Sequence, residues 1–134
     1  MAGGVDGLLS VLTVAVGGAL GAVARFWLSG TIGRRIGETF PWGTLIVNVS
    51  GAVAIGALAA ALPTTAGPGR GPSLLWLGSV TGFLGGYTTV SSFSLQTMNL
   101  ARGGESMAAA WNVATSVLLS LAAAAAGFAA GAAL

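Results

Sequence analysis

The chain has 134 residues, 54% of them hydrophobic and only 6% charged, with five arginines against three acids and a formal charge of +2. A soluble domain carries about a quarter charged residues, so this composition excludes a water-solvated globule and points to an integral membrane protein. Five scattered cations make no basic face for nucleic acid, and the absence of Lys, His and Cys removes Schiff bases, thiolate chemistry, disulfides and the usual zinc sites.

The N-terminus, through Val5 and Asp6, carries an acid and no basic stretch, so the first apolar run is read as retained rather than as a cleaved signal. Four apolar runs follow, over about residues 8–28, 43–62, 74–98 and 107–132. Each is near the roughly 20 residues needed to cross hydrocarbon. The expected fold is an all-α membrane protein, one four-helix domain over residues 1–134, with its third helix broken near the middle. Four helices are few for a pore, so oligomerisation is expected.

Run one contains Gly17 and Gly21, spaced for close helix packing, as are Gly78, Gly82 and Gly86 in run three and Gly127 and Gly131 in run four. Arg25 lies towards the end of run one. Either it snorkels to the interface and answers the helix macrodipole, or it stands at the mouth of an anion path. Arg34, Arg35 and Glu38 follow, with Pro41 as a stop. In run two, Thr44 and Asn48 are one turn apart on one face. Asn48 is either an interhelical clamp or a pore-facing amide, and the shared stripe favours the pore. A Pro- and Gly-rich loop through Arg70 then separates runs two and three.

Run three holds the most informative segment, Gly82-Phe83-Leu84-Gly85-Gly86-Tyr87-Thr88-Thr89-Val90-Ser91-Ser92-Phe93-Ser94. Paired glycines and a string of hydroxyls build a continuous helix poorly. Broken backbone in a membrane is tolerated only where protein covers it or a wet cavity borders it. The hydroxyls of Thr88, Thr89, Ser91 and Ser92 donate hydrogen bonds, and the edge of the Phe93 ring carries partial positive charge. Together they can replace part of the water shell of a small, strongly hydrated anion without the tight grip of a fixed cation. Phe93 as simple packing is the plainer alternative. Arg102 and Glu105 mark the next turn. In run four, Asn112, Ser116 and Ser120 are four apart and form one polar stripe beside Thr115.

The acids Asp6, Glu38 and Glu105 all fall at or beyond the span boundaries. A proton-coupled exporter usually needs a carboxylate within the membrane, which argues against a small multidrug-type exporter. An enzyme would need a nucleophile and base that the chain does not supply. A non-conducting scaffold accounts for the glycines but not for the polar stripe with the break. The loops holding Arg34, Arg35 and Arg102 share a side opposite Arg70, and the positive-inside rule puts that side in the cytoplasm.

Three segments resemble the Fluc (CrcB-type) fluoride channels, in that family's order. They are Gly17-Gly18-x-x-Gly21-Ala22-x-x-Arg25-Phe26, Trp42-Gly43-Thr44-Leu45-x-Val47-Asn48-x-x-Gly51, and Gly82-Phe83-x-Gly85-Gly86-Tyr87-Thr88-Thr89-x-Ser91-x-Phe93-Ser94. The resemblance covers essentially the whole chain. It implies a fluoride channel in the cell (inner or plasma) membrane, built as an antiparallel, dual-topology dimer with two pores for passive export. It further implies a structural Na+ held by the backbone carbonyls of Gly85 and Thr88. By motif match Asn48 and Phe93 line the pore, Thr44, Ser116 and Ser120 fall on or near its polar track, and Arg25 stands at its entrance. The chain departs from the family at Val90, where Phe is usual, at Gln96, where Glu is usual, and at Asn112, where an aromatic is more often expected. A homodimer would then have altered pores. Both a homodimer and a heterodimer with a related subunit fit the resemblance, and the arginine bias leans to the heterodimer.

Overall fold

A computed structural model describes residues 2–37, 39–67 and 71–133, with side chains from Gly7 onward in the first stretch. Glu38, Arg70 and the side chain of Asp6 lie outside the described residues, and so do the expectations that concern them. Helix α1 spans Ala2–Ile36 and α2 spans Trp42–Ala61. Helix α3 is assembled from a turn at Leu74–Trp76, a π-helical stretch Leu77–Leu84 and a further turn Gly85–Tyr87. Helices α4 (Val90–Arg102) and α5 (Ser106–Ala132) complete the chain.

The helix ends follow from local chemistry. Gly37 closes α1 with φ +100°, its N–H on the Gly33 carbonyl at 2.9 Å, a left-handed stop that glycine adopts without a Cβ penalty. Pro41 precedes α2, and Ser73 caps α3 by accepting from the Trp76 N–H at 3.1 Å. Gly104, at φ +85°, turns the chain from α4 into α5.

Residues Gly7–Ile36 of α1, all of α2 and all of α5 are each long and apolar enough to cross a membrane, and each contains an 18-residue stretch with a mean hydropathy of 2.0, 1.9 and 1.9 respectively. Their large side chains point outward; Phe26 is 81% exposed in the isolated chain and Val16 60%. Lipid is as apolar as these side chains, so helices are held together by close packing rather than by hiding apolar surface. The third apolar run is not one helix. Thr88 (φ −78°, ψ 160°) and Thr89 (φ −153°, ψ 126°) are extended and separate α3 from α4. The break thus falls within the expected segment, on the two threonines rather than on Gly85 and Gly86, which stay helical. The glycines have another use: the backbone of Gly86 lies against Gly18 of α1, where a Cβ would collide with main chain. The threonines instead offer β-branched side chains that disfavour helix and bond to nearby backbone. Thr88 Oγ1 returns to the Leu84 carbonyl at 2.9 Å, and Thr89 Oγ1 accepts from the Ser92 N–H at 3.2 Å, capping α4.

Two seams of bare backbone organise the bundle. Gly17 and Gly18 of α1 meet Gly78, Gly82 and Gly86 of α3, and Gly21 meets the backbone of Phe83 and Tyr87; a Cβ on Gly82 would stand 2.8 Å from the Val14 carbonyl oxygen. Gly56 of α2 meets Ala124 and Phe128 of α5, while Gly127 and Gly131 lie against Val53 and Ala57. The glycines read as packing positions therefore sit at helix contacts. Helix α4 packs chiefly on α5 and touches α2 sparingly. Arg34 and Arg35 at the end of α1 and Arg102 at the end of α4 share one end of the bundle, because the α1–α2 connection and the last turns of α4 border one cavity there.

Candidate ion-conduction site

The break is held open by side chains from two other helices. Asn48, on α2, gives its Nδ2–H to the Thr89 carbonyl at 2.9 Å and takes the Thr89 N–H on its Oδ1 at 2.8 Å. The amide thereby imitates a neighbouring strand and satisfies both backbone groups of an extended residue at mid-span. Asn48 is thus a clamp between helices. One of its two amide protons is committed to that clamp, and the side chain still borders a cavity beside the break. Arg25, on α1, donates from Nη1 to the Thr88 carbonyl at 3.4 Å. That carbonyl ends α3, so the guanidinium sits at the negative pole of the half-helix. Arg25 therefore points inward to the break rather than only to the membrane surface.

The hydroxyls form a small network. Thr89 Oγ1 donates to Ser92 Oγ at 3.2 Å and lies 3.2 Å from Ser91 Oγ. The Ser92 hydroxyl accepts this bond and keeps its own proton for another acceptor. Thr44, 7% exposed, makes no hydrogen bond with the described residues. Ser116 is buried at 8% exposure and Ser120 is half-buried, with Asn112 one turn before them at 2%.

Three cavities follow one another along these groups. The first, about 440 Å³, opens at the arginine end between the α1–α2 connection and α4, with Gln96 and Asn99 on its wall. The side-chain oxygen of Gln96 is buried there without a hydrogen-bond partner among the described residues. A second, about 220 Å³, shares Ser29, Thr44 and Ser92 with the first and is lined by Arg25 and Phe26. It shares Thr89 with the third, a cleft of about 740 Å³ bordered by Asn48, Gly85, Thr88, Phe93, Ser116 and Ser120. The structure thus gathers Arg25, Thr44, Asn48, Thr88, Thr89, Ser92, Phe93, Ser116 and Ser120 around one interrupted helix. Ser91 is exposed and joins them only through Thr89.

Thr81, Thr97 and the Ser50–Tyr87 pair take part without being singled out by sequence reasoning, whereas Gly85 is named there. Thr81 and Gly85, one turn apart on α3, are exposed on the uncovered side of the large cleft. Thr97 accepts from Asn112 Nδ2 at 2.8 Å and donates to the Phe93 carbonyl at 2.8 Å. Its spacing of four from Phe93 is visible in the sequence, but the partner on α5 is not. The hydroxyls of Ser50 and Tyr87 lie 2.8 Å apart and tie α2 to the end of α3. Among the described residues no three His, Cys, Asp or Glu gather.

A helical membrane bundle whose interrupted segment is ringed by neutral hydrogen-bond donors and one aromatic ring defines an ion-conducting class of protein. Comparison with known proteins is specific. The family described as CrcB-like protein, Camphor Resistance (CrcB), matches residues 12–128. The chain is 58% identical over 120 residues to "Fluoride-specific ion channel FluC 2" of Rhodopseudomonas palustris (strain BisB18), covering 90% of this chain and 91% of the relative. It is 55% identical over 121 residues to a protein of the same name from Bradyrhizobium diazoefficiens, covering 90% and 88%. It is also 52% identical over 117 residues to "Fluoride-specific ion channel FluC 3" of Brucella suis biovar 1, covering 87% of each. The chain belongs to the CrcB/FluC family.

Proposed function

We propose that this chain is a subunit of a fluoride-specific channel of the cell membrane, passing fluoride passively out of the cytoplasm through pores completed by a second, inverted subunit. The observation that carries the reading is the break itself. Thr88 and Thr89 lie in the middle of the third apolar run, and the adjoining face of α3 and α4 is open: Thr81 and Gly85 are exposed and Val90 is 77% exposed. The Gly85 carbonyl on that face has lost its helical partner, because the Thr89 N–H goes to Asn48, and an unpaired peptide group facing lipid calls for cover by protein. The relatives named as fluoride-specific channels supply the ion. Thr44, Asn48, Ser92, Phe93, Ser116 and Ser120 supply its chemistry: hydroxyl and amide protons and a ring edge. Such weak, serial contacts admit a small anion and still release it. Arg25 supplies positive potential beside the route. A cation exporter finds no support, since Glu105 lies at the boundary before α5.

The same break suits a structural sodium ion. In a continuous helix the Gly85 carbonyl would accept the Thr89 N–H, which here goes to Asn48. That frees the Gly85 oxygen on an exposed face, while the Thr88 oxygen holds only a long contact to Arg25. Two neutral oxygens from one chain make half of a hard-cation site, and an inverted second chain would bring the other half. Val90 supports a heterodimer over a homodimer, because a ring is missing at that position, and three arginines at one end favour one orientation.

Liposomes loaded with fluoride test this. The purified chain, alone or with a related subunit from its own source, is expected to release fluoride to an electrode while chloride stays trapped. No fluoride release from either sample overturns the reading. In samples exchanged free of sodium the release is expected to slow or stop, and equal release would remove the carbonyl site.

A further inference from the structure

Helix α4 carries the Phe93 ring and packs sparsely apart from its contact with α5, so its rotation needs a separate determinant. Thr89, Phe93 and Thr97 are four apart and lie on one face. The threonine on each side of the ring is gripped by an asparagine from a different helix. Asn48 of α2 takes both backbone groups of Thr89, as described. Asn112 of α5, 2% exposed, donates from Nδ2 to Thr97 Oγ1 at 2.8 Å, and Thr97 Oγ1 in turn donates to the Phe93 carbonyl at 2.8 Å. The ring therefore stands between two polar anchors, one at the start of α4 and one a turn beyond it.

We propose that Asn112 is a positioning residue: by holding Thr97 it fixes the rotation of α4 and so aims the Phe93 ring edge into the cleft. The proposal rests on the fluoride-channel reading. An amide buried among apolar helices is retained only if it is bonded, and this one is bonded to the helix that carries the ring. Ser116 and Ser120 share its stripe but make no hydrogen bond with the described residues. The stripe on α5 thus divides into a structural head at Asn112 and free hydroxyls farther along.

The test uses fluoride efflux from liposomes and size-exclusion chromatography on the parent, Asn112→Leu, Thr97→Val, their double variant and Thr97→Ser. Asn112→Leu and Thr97→Val are expected to assemble and to lose flux by about fivefold each, as one buried hydrogen bond would allow. The double variant should lose about as much as either single one, because both changes cut the same link. Thr97→Ser keeps the hydroxyl and should conduct like the parent. An assembled Asn112→Leu that conducts like the parent overturns the proposal, as do single losses that multiply in the double variant. Should Asn112→Leu fail to assemble, the Thr97 pair decides, and equal flux through the valine and serine variants overturns it. These outcomes leave the channel reading intact. A parent that passes no fluoride in any subunit combination overturns both.

Discussion

Phe93→Ile is expected to reduce fluoride flux by about tenfold or more, equivalent to about 1.4 kcal/mol on the conduction barrier, while the protein still assembles. Isoleucine fills the space of the ring without its electropositive edge. A ring edge carries partial positive charge that an alkyl side chain lacks, and α4 carries no other ring, since Val90 stands at its start. Phe93 borders the cleft with Asn48, Ser116 and Ser120, so the substitution removes the ring edge from one wall of the proposed route. Efflux recorded with a fluoride electrode on size-matched proteoliposomes measures the loss. Parent-like flux would remove Phe93 from the conduction path.

Asn48→Leu is expected to have the largest effect on stability. It strands the N–H and the C=O of Thr89 in the membrane interior, and each unpaired buried group costs about 1–3 kcal/mol. The sum, about 2–6 kcal/mol, is a large part of the roughly 5–15 kcal/mol that holds a typical domain folded. Thermal melting in detergent should show a marked fall, together with loss of flux. Ser50→Ala, which removes the hydroxyl pair with Tyr87 and the local bond to the Val47 carbonyl on an exposed face, provides the contrast, at about 1 kcal/mol or less. Equal melting of the two variants would mean that the asparagine clamp contributes little.

Most of the architecture was legible because membrane segments are written in long apolar runs, and the glycine spacing already marked where backbones meet. The break was legible as a region and not as a residue. Glycine is the usual suspect in a helix interruption, yet Gly86 stays helical and serves a contact with Gly18 that leaves no room for a Cβ, and it is the threonines that give way. The candidate site was recoverable as a set of residue types on faces. Its wiring was not. Asn48 and Thr89 are 41 positions apart, Arg25 and Thr88 are 63 apart, and the link from Asn112 to Thr97 crosses a turn between helices. A sequence shows that a buried amide needs a partner; only the fold shows which one, and that a residue read mainly as pore lining also splices two helices together.

If a second subunit covers the open side of the interrupted segment, as proposed, association becomes part of maturation rather than a later choice. On that reading a solitary copy would leave the Gly85 carbonyl turned toward oil, and a lone chain would be no comfortable state from which to switch assembly on and off. Supply of the counterpart during membrane insertion would then set how much working protein a cell contains, with orphaned chains left to proteolysis.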